Sequence, residues 1–331
     1  MKEVSVDVVI LSYDGYELLI ECLESVFSQT VRPAAVIVVD NGSCDPRVSL
    51  VANIFPSVQV VRVEVNRGIS YGFNIAVEQC RSKYIAWLNN DVVIEPSWLE
   101  IMSKSIDAQA NVASCDSLVV YDADPDLVWS AGAGYSWMGS ANFLEQGKHK
   151  SVIQPSLKPI IASVGCAAIY RRELFETHGL LDDTFFLGFE DLDWGLRLTL
   201  AGYLHFNVPP AVASHKVSQT VLVGSAQYVR HGQRNVSATF LKVNPLPLLL
   251  LFMIPHFFYI LASGVYYFSR GRGRSFVQGK FDVIVSIPQI LRARRLIQNQ
   301  KSISPTDFIK KLEIFPVNSK MRLLGLKSNS R

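Results

Sequence analysis

The chain reads as an α/β protein, a mostly parallel sheet flanked by helices, followed by an apolar C-terminal helical segment that meets a membrane. Three observations carry that reading. Short β-branched runs alternate with helically spaced apolar residues, an order that calls for right-handed crossovers between parallel strands. Polar clusters follow those runs, where open α/β sheets bind ligands. Finally, Pro245 to Phe268 passes 24 residues without a formal charge.

The elements follow in order. Val6 to Leu11 is a β-branched run that predicts a buried first strand, ending at polar Ser12-Tyr13-Asp14. Leu18, Ile20, Cys22, Leu23, Val26 and Phe27 recur at helical spacing and predict a helix over Glu17 to Gln29. Ala35 to Val39 and Val58 to Val63 predict strands, Gly72 to Cys80 a helix, and Tyr84 to Leu88 another strand. From about Ser117 to Pro159 the pattern weakens: Gly132, Gly134, Gly139 and Gly147 interleave with Trp129, Tyr135, Trp137 and Phe143. A variable, mobile segment is expected there, its aromatics serving equally well as a ligand platform or as packing. Regular structure returns at Ile160 to Tyr170, a helix is expected from about Leu192 through Ala201, and Val208 to Ser214 is strand-like.

The charge-free segment, as a helix, would be about 36 Å long, enough to cross the hydrocarbon core. Arg230, Arg234 and Lys242 precede it and Arg270, Arg272 and Arg274 follow, so flanking charge sets no orientation. With Pro247 and Pro255 inside, and a second apolar stretch from Phe281 to Leu291 too short to span, a crossing and a re-entrant or interfacial hairpin both fit.

Composition sets the outer bounds. The 331 residues, 49% hydrophobic and 18% charged, make a folded chain with room for one large domain and an appendage, or for two domains. The net charge of +3 conceals a division. Residues 270–331 hold 14 Lys or Arg against three acids, and residues 1–269 hold 18 against 26. A basic tail beside an apolar segment fits anionic lipid headgroups, and no nucleic-acid partner is expected. The division predicts an α/β domain over 1–240, a transmembrane or re-entrant helix over 245–268, and a basic amphipathic tail over 270–331. Five cysteines, widely spaced and without a Cys-x-x-Cys pair, fit a reducing compartment. The first residues lack the apolar core of a secretory signal, so the expected location is at the membrane with the N-terminal domain facing the cytoplasm.

The polar clusters carry the chemistry. Asp40, in Asp40-Asn41-Gly42-Ser43, is placed to accept hydrogen bonds from a base or ribose, although an Asx turn explains it as well. In Asn66-Arg67-Gly68, with Asn74 downstream, the glycine permits close approach and the arginine can meet a phosphate or stay solvated. Asn89-Asn90-Asp91 ends a strand with a carboxylate fit to hold Mg²⁺ or Mn²⁺ against nucleotide phosphates, or to make a turn. Glu190 and Asp191 lie in an aromatic stretch that raises the cost of ionisation, as a general base requires, while Asp193 reads as a helix cap. His215 ends a strand-like piece and is either structural or a metal partner of Asp91.

Taken in order, these clusters resemble the inverting family 2 glycosyltransferases with the Rossmann-like GT-A fold, and their rhamnosyltransferase-like branch in particular. The matching pieces are Val8-Val9-Ile10-Leu11-Ser12-Tyr13, Val36-Ile37-Val38-Val39-Asp40-Asn41-Gly42-Ser43, Asn66-Arg67-Gly68 with Asn74, Leu88-Asn89-Asn90-Asp91, Phe189-Glu190-Asp191-Leu192-Asp193 with Arg197, and His215; they span Val6 to Gln219. The resemblance implies that Asp40, with Ser12 and Asp14, binds the nucleoside of a nucleotide diphosphate sugar. Asn66, Arg67, Gly68, Asn74 and Asn90 would complete the donor site. Asp91 would hold Mg²⁺ or Mn²⁺, helped by His215 and Asn89, and Asp191 would be the general base beside Glu190. Two positions depart from the family. Asn89 replaces the first Asp of Asp-x-Asp, as is frequent in the rhamnosyltransferase-like branch, and Asp14 stands where many relatives have Asn. The implied reaction moves a sugar, rhamnose or another hexose, with inversion onto a saccharide or polyprenyl-linked acceptor in cell-surface polysaccharide synthesis. A polyprenyl-phosphate sugar synthase and a non-catalytic sugar-nucleotide-binding membrane scaffold are the alternatives.

Overall fold

The computed structural model describes residues 3–217 and 224–313. Gln219 and positions 314–331 of the expected tail lie outside them. The strands are β1 (Glu3–Ser12), β2 (Arg32–Asn41), β3 (Val58–Val63), β4 (Tyr84–Asn89), β5 (Val92–Ile94), β6 (Val112–Tyr121), β7 (Asp124–Ser130), β8 (Ala133–Tyr135), β9 (Ala141–Phe143), β10 (Lys158–Ile160), β11 (Ala167–Arg171) and β12 (Leu204–His215). The helices are α1 (Tyr16–Phe27), α2 (Pro46–Ser49), α3 (Ile69–Gln79), α4 (Trp98–Asp107), α5 (Glu173–His178), α6 (Glu190–Leu200), α7 (Ala226–Val243), α8 (Leu246–Ser269), α9 (Gly273–Val285), α10 (Ile287–Gln300) and α11 (Pro305–Ile309).

The main sheet runs β10-β12-β6-β11-β4-β1-β2-β3. Its N-terminal half, β3 through β4, is parallel as the alternating pattern requires. Beyond β4 it becomes mixed: β11 enters antiparallel to both β4 and β6, and β12 returns parallel to β6. That insertion brings the start of β11 beside the end of β4, Ala167 opposite Leu88. The central strands are apolar throughout because helices cover both faces. Val8, Ile10, Ala86 and Leu88 join one core with α1 and α4, and Val9, Ile37, Val39 and Trp87 join the other with α3 and α5. α6 belongs to both, through Leu192 and Leu196 on one side and Trp194 and Leu198 on the other.

The stretch expected to be mobile is instead built of β6 to β9. Its strand pattern is hidden because Ser114, Asp116 and Ser117 interrupt the apolar run of β6, yet each is fully buried and hydrogen-bonded. Its aromatics pack rather than form an open platform: Tyr135 is fully buried, Trp129 meets Phe143 and His215, and Trp137 meets Phe252. Helices α4 and α7 have no counterpart among the sequence expectations. Neither does the division of Ile160 to Tyr170 into β10, an irregular link and β11.

Asp193 does not cap α6 either. Its buried carboxylate lies 2.8 Å from Lys242 Nζ and 3.4 Å from Arg197 Nε, in ion pairs. Lys242 comes from α7, is 1% exposed, and also reaches Asp182 at 2.6 Å. Although burial raises it, the Asp182 carboxyl ends well below its ordinary range because of that ammonium. Lys242 therefore joins α7 to both ends of the loop that leads into α6. Replacing it, Lys242→Met, removes the nearer of the two cations beside buried Asp193, leaves that carboxylate to Arg197 alone, and is expected to cost about 3–5 kcal/mol in denaturant unfolding. A loss below about 1 kcal/mol, the scale of an exposed pair, would show that the knot constrains nothing.

Candidate active site

The sheet places the polar clusters at one edge. Ser12 pairs with Asp40 and Leu11 with Asn89, so the ends of β1, β2 and β4 lie side by side. On the other side of β4, Asn89 N–H donates to Cys166 O at 3.0 Å, and the neighbouring Gly165 N–H donates to Asp191 Oδ2 at 2.7 Å. Beyond the tip, Lys216 N–H donates to Asp91 O at 3.0 Å and Val92 pairs with His215. Asn89, Asp91, Asp191 and His215 are thereby gathered by backbone hydrogen bonds around the end of one strand.

At the β1 and β2 ends, several expected donor-binding groups are engaged with the chain itself. Asp40, fully buried, accepts from Ser43 N–H at 2.9 Å and from Ser49 Oγ, and pairs with Arg62 at 2.8 Å. Asp14 has a positive φ of 54°, and its Oδ1 accepts from Cys44 N–H at 2.7 Å and Asp45 N–H at 3.2 Å. Asn90 Nδ2 donates to Ser12 Oγ and Asp14 O, at 3.1 and 3.0 Å. Ser12, Asp14 and Asn90 thus fix the β1 end to the β2 and β4 ends.

The Asn66–Gly68 loop is held from two sides. Asn41 Nδ2 donates to Asn66 Oδ1 at 3.2 Å and to Gly68 O at 3.0 Å, while Ile69 N–H donates to Phe186 O at 2.9 Å. Gly68 has φ 92°, and a Cβ there would stand 2.6 Å from Phe186 O; at Gly42, φ 81°, a Cβ would stand 2.3 Å from Asn66 N. Neither position tolerates a side chain. Arg67 lays its guanidinium over the Tyr71 ring at 3.6 Å. Asn74 points away from this loop: its side chain donates to Leu181 O and Asp183 and accepts from Leu181 N–H, binding α3 to the segment before α6.

The carboxylates of α6 differ sharply. Both oxygens of Asp191 accept backbone N–H bonds, from Gly165 and from Leu192 at 2.6 Å, and the residue stays partly exposed. Glu190 is buried, its Oε2 has no hydrogen-bond partner, and burial followed by the Asp191 charge pushes its pKa up to about 8. Burial also raises the Asp191 carboxyl, with its backbone donors opposing. Asp116, fully buried on β6, is raised well above its ordinary range by burial, and the Asp191 charge adds to that. Of the three, Asp191 is the carboxyl on which burial is opposed by an N–H donor to each oxygen and which keeps access to solvent.

Asp91 and His215 are both nearly buried, with Oδ1 and Nε2 3.2 Å apart, and His215 Nδ1 has no hydrogen-bond partner. Among the described residues no three His, Cys, Asp or Glu side chains gather in a way that could hold a metal. A carboxylate and an imidazole fit a divalent cation whose remaining ligands are phosphate oxygens and water.

Sequence reasoning missed Asp116, Arg62, Asp182 and Lys242. Arg62 had a signal, since it stands opposite Asp40 once β2 and β3 pair. A lone lysine in an otherwise apolar stretch was the only signal for Lys242.

The family model described as glycosyl transferase family 2 matches residues 7–179. An N-acetylglucosaminyl-diphospho-decaprenol L-rhamnosyltransferase of Mycobacterium tuberculosis (strain H37Rv) is 27% identical over 235 residues, 64% of this chain and 76% of that protein. The succinoglycan biosynthesis protein ExoO of Rhizobium meliloti is 30% identical over 124 residues, 37% of this chain and 36% of that one. Among solved structures, a mannosyltransferase from Pyrobaculum calidifontis in complex with GDP-Man and Mn²⁺ superposes with a TM-score of 0.52 at 15% identity, covering 89% of this chain and 85% of that one. GalNAc-T7 with UDP, GalNAc and Mn²⁺ gives 0.58 at 17% identity, covering 70% of this chain and 47% of that one. These likenesses establish the GT-A fold.

Gly68 offers a test of the site's frame. Gly68→Ala is expected to cost about 1–3 kcal/mol and to raise amide hydrogen exchange at Ile69. Unchanged exchange there would mean that the Phe186 contact does not hold the loop.

Proposed function

Because the chain belongs to glycosyl transferase family 2, we propose that it is an inverting, metal-dependent transferase that moves rhamnose or another hexose from a nucleotide diphosphate sugar to a lipid-linked saccharide. The carrying observation is the backbone tie from Asp191 through Gly165 and Cys166 to the Asn89–Asp91 tip, which keeps a base candidate and a metal-ligand candidate at one strand end. The M. tuberculosis relative, named for a diphospho-decaprenol acceptor, supports the lipid-linked class. Work at the membrane, with the catalytic domain facing the cytoplasm, follows from the same reading.

In this mechanism Asp191 takes the proton of the acceptor hydroxyl as its oxygen attacks the anomeric carbon opposite the diphosphate. Its two N–H donors hold the carboxylate, and Glu190, kept protonated by burial, adds no second charge. Ser12, Asp14 and Asp40 frame the nucleoside, and Asn66, Arg67 and Gly68 approach the diphosphate, within a frame that Asn74 and Asn90 hold in place. Asp91 and His215, with Asn89 beside them, would hold Mg²⁺ or Mn²⁺. When bound, the cation supplies charge stabilisation for the departing nucleotide diphosphate.

A panel of nucleotide sugars with and without a polyprenyl-diphosphate saccharide, read by mass spectrometry and by NMR of the new anomeric centre, tests the reading. Transfer to the bare lipid phosphate would instead identify a polyprenyl-phosphate sugar synthase, and retention of configuration would remove the mechanism.

Asp191→Asn is expected to lower turnover roughly a hundredfold or more with donor affinity kept. Glu190→Gln keeps turnover. In the wild type the rate rises with pH as Asp191 ionises, and a second change near pH 8, where Glu190 loses its proton, is absent in Glu190→Gln. A collapse in Glu190→Gln with near-normal Asp191→Asn would reverse the two roles.

EDTA and Asp91→Ala are each expected to abolish transfer, and Asp91→Ala to abolish calorimetric Mn²⁺ binding in the presence of nucleoside diphosphate. Full activity in EDTA would show that the diphosphate leaves without a cation.

A further inference from the structure

The apolar helix α8 does not stand free. Leu248, Phe252, His256 and Gly264 are buried along one stripe, which at 1.5 Å per residue runs about 24 Å. Trp137 packs on Phe252; Phe240 stacks on His256 at 3.8 Å; Met138 O lies 2.7 Å from His256 Nδ1; and Phe276 of α9 closes on Gly264. The protein body therefore follows α8 for most of the thickness of a hydrocarbon core.

That body is polar where α8 is not. α7, which supplies Phe240, also carries Arg234, Asn235 and Lys242, and it joins α9 through a half-exposed Arg230–Asp282 ion pair at 2.6 Å. Driving α8 across a bilayer would draw these charges into hydrocarbon, where they are costly. The opposite stripe is different: Leu250, Ile254, Phe258 and Val265 are 62–73% exposed, and α9 adds Phe281 and Ile284 at 61% and 67%.

Charge identifies what covers this surface. Arg270, Arg272 and Arg274 sit exposed at the α8–α9 turn, Arg292 and Arg295 on α10. From residue 270 to 312 there are ten lysines and arginines against two aspartates. A second copy docked by two-fold symmetry would bring like-charged rims together, whereas an anionic leaflet attracts them. We propose that α8 lies along the membrane plane, its outer stripe sunk into the acyl region of one leaflet and its flanking arginines on anionic headgroups, without crossing.

The test uses the full chain and does not depend on the sugar-transfer reading. Binding to phosphatidylcholine vesicles is expected to tighten roughly tenfold or more when phosphatidylglycerol is included. Ile254→Asn with Phe258→Asn should lose binding to both vesicles, and Arg270→Glu with Arg272→Glu should lose only the phosphatidylglycerol gain. Cooperative thermal unfolding certifies that each variant is folded, whether or not any transferase activity is found. In sided membrane vesicles, protease should remove N-terminal and C-terminal epitope tags from the same face. Tags on opposite faces would establish a crossing and overturn the proposal. So would vesicle binding that survives the apolar double variant, including the case in which that variant only dissolves a dimer.

Discussion

The buried ammonium of Lys242 is the constraint on which the arrangement around α6 depends. It stands between Asp193 in the first turn of α6 and Asp182 at the head of the loop that leads there, so two carboxylates separated by ten residues of chain are held to one point. Arg197 completes the knot from the next turn, its guanidinium also donating to His178 O and Leu180 O. A buried charge set of this kind adds little net stability over an apolar core, but a member left unpaired is expensive. Its effect is therefore positional: the loop and helix have one arrangement that satisfies every charge. Asn235, seven residues before Lys242 on α7, extends the same grip by donating to Leu187 O and Gly188 O immediately ahead of Glu190.

From there the positioning passes through backbone hydrogen bonds. Asp191 is fixed to Gly165, Cys166 to Asn89, and Asp91 to Lys216, each by a main-chain N–H or C=O that cannot change rotamer. Side-chain substitution alters the chemistry at this strand end more readily than its geometry. The electrostatics follow the same logic. Three carboxyls, Asp116, Glu190 and Asp191, share a poorly solvated region, and only Asp191 combines two backbone donors with access to solvent. Burial raises the other two carboxyls, Glu190 to about 8 and Asp116 well above its ordinary range, so ionisation is least disfavoured at Asp191.

The parallel half of the sheet was legible in the sequence because strands covered on both faces are continuously apolar, and their ends are marked by the polar clusters at Ser12, Asp40 and Asn89. The other half was not. β6 buries Ser114, Asp116 and Ser117 inside a strand, and only a neighbouring strand or loop reveals their hydrogen-bond partners; read along the chain they resemble a break. Asp193 was misread for a related reason. A carboxylate in a first helical turn is normally a cap or a partner for the helix dipole, and what makes this one an ion-pair centre is a lysine about fifty residues away. For Asn74, Asn90 and Asp14 the residue types were noticed and their intramolecular partners were not, since those partners come from other loops.

The helices after the sheet connect these two levels of order. α7 faces the knot with Lys242 and the loop with Asn235, and its other contacts are with α9, α10 and, through Phe240, α8. Lys280 of α9 donates to Gln233 O, and Arg294 of α10 donates to Leu241 O and Asn244 O, so the helices carrying the exposed apolar and basic residues are bonded to the backbone of the same helix that fixes α6. α7 thus links that surface to the loop before Glu190 by direct hydrogen bonds at both ends of the connection. The Glu190–Asp191 carboxyl pair and the exposed apolar surface are then two faces of one support, built on α7.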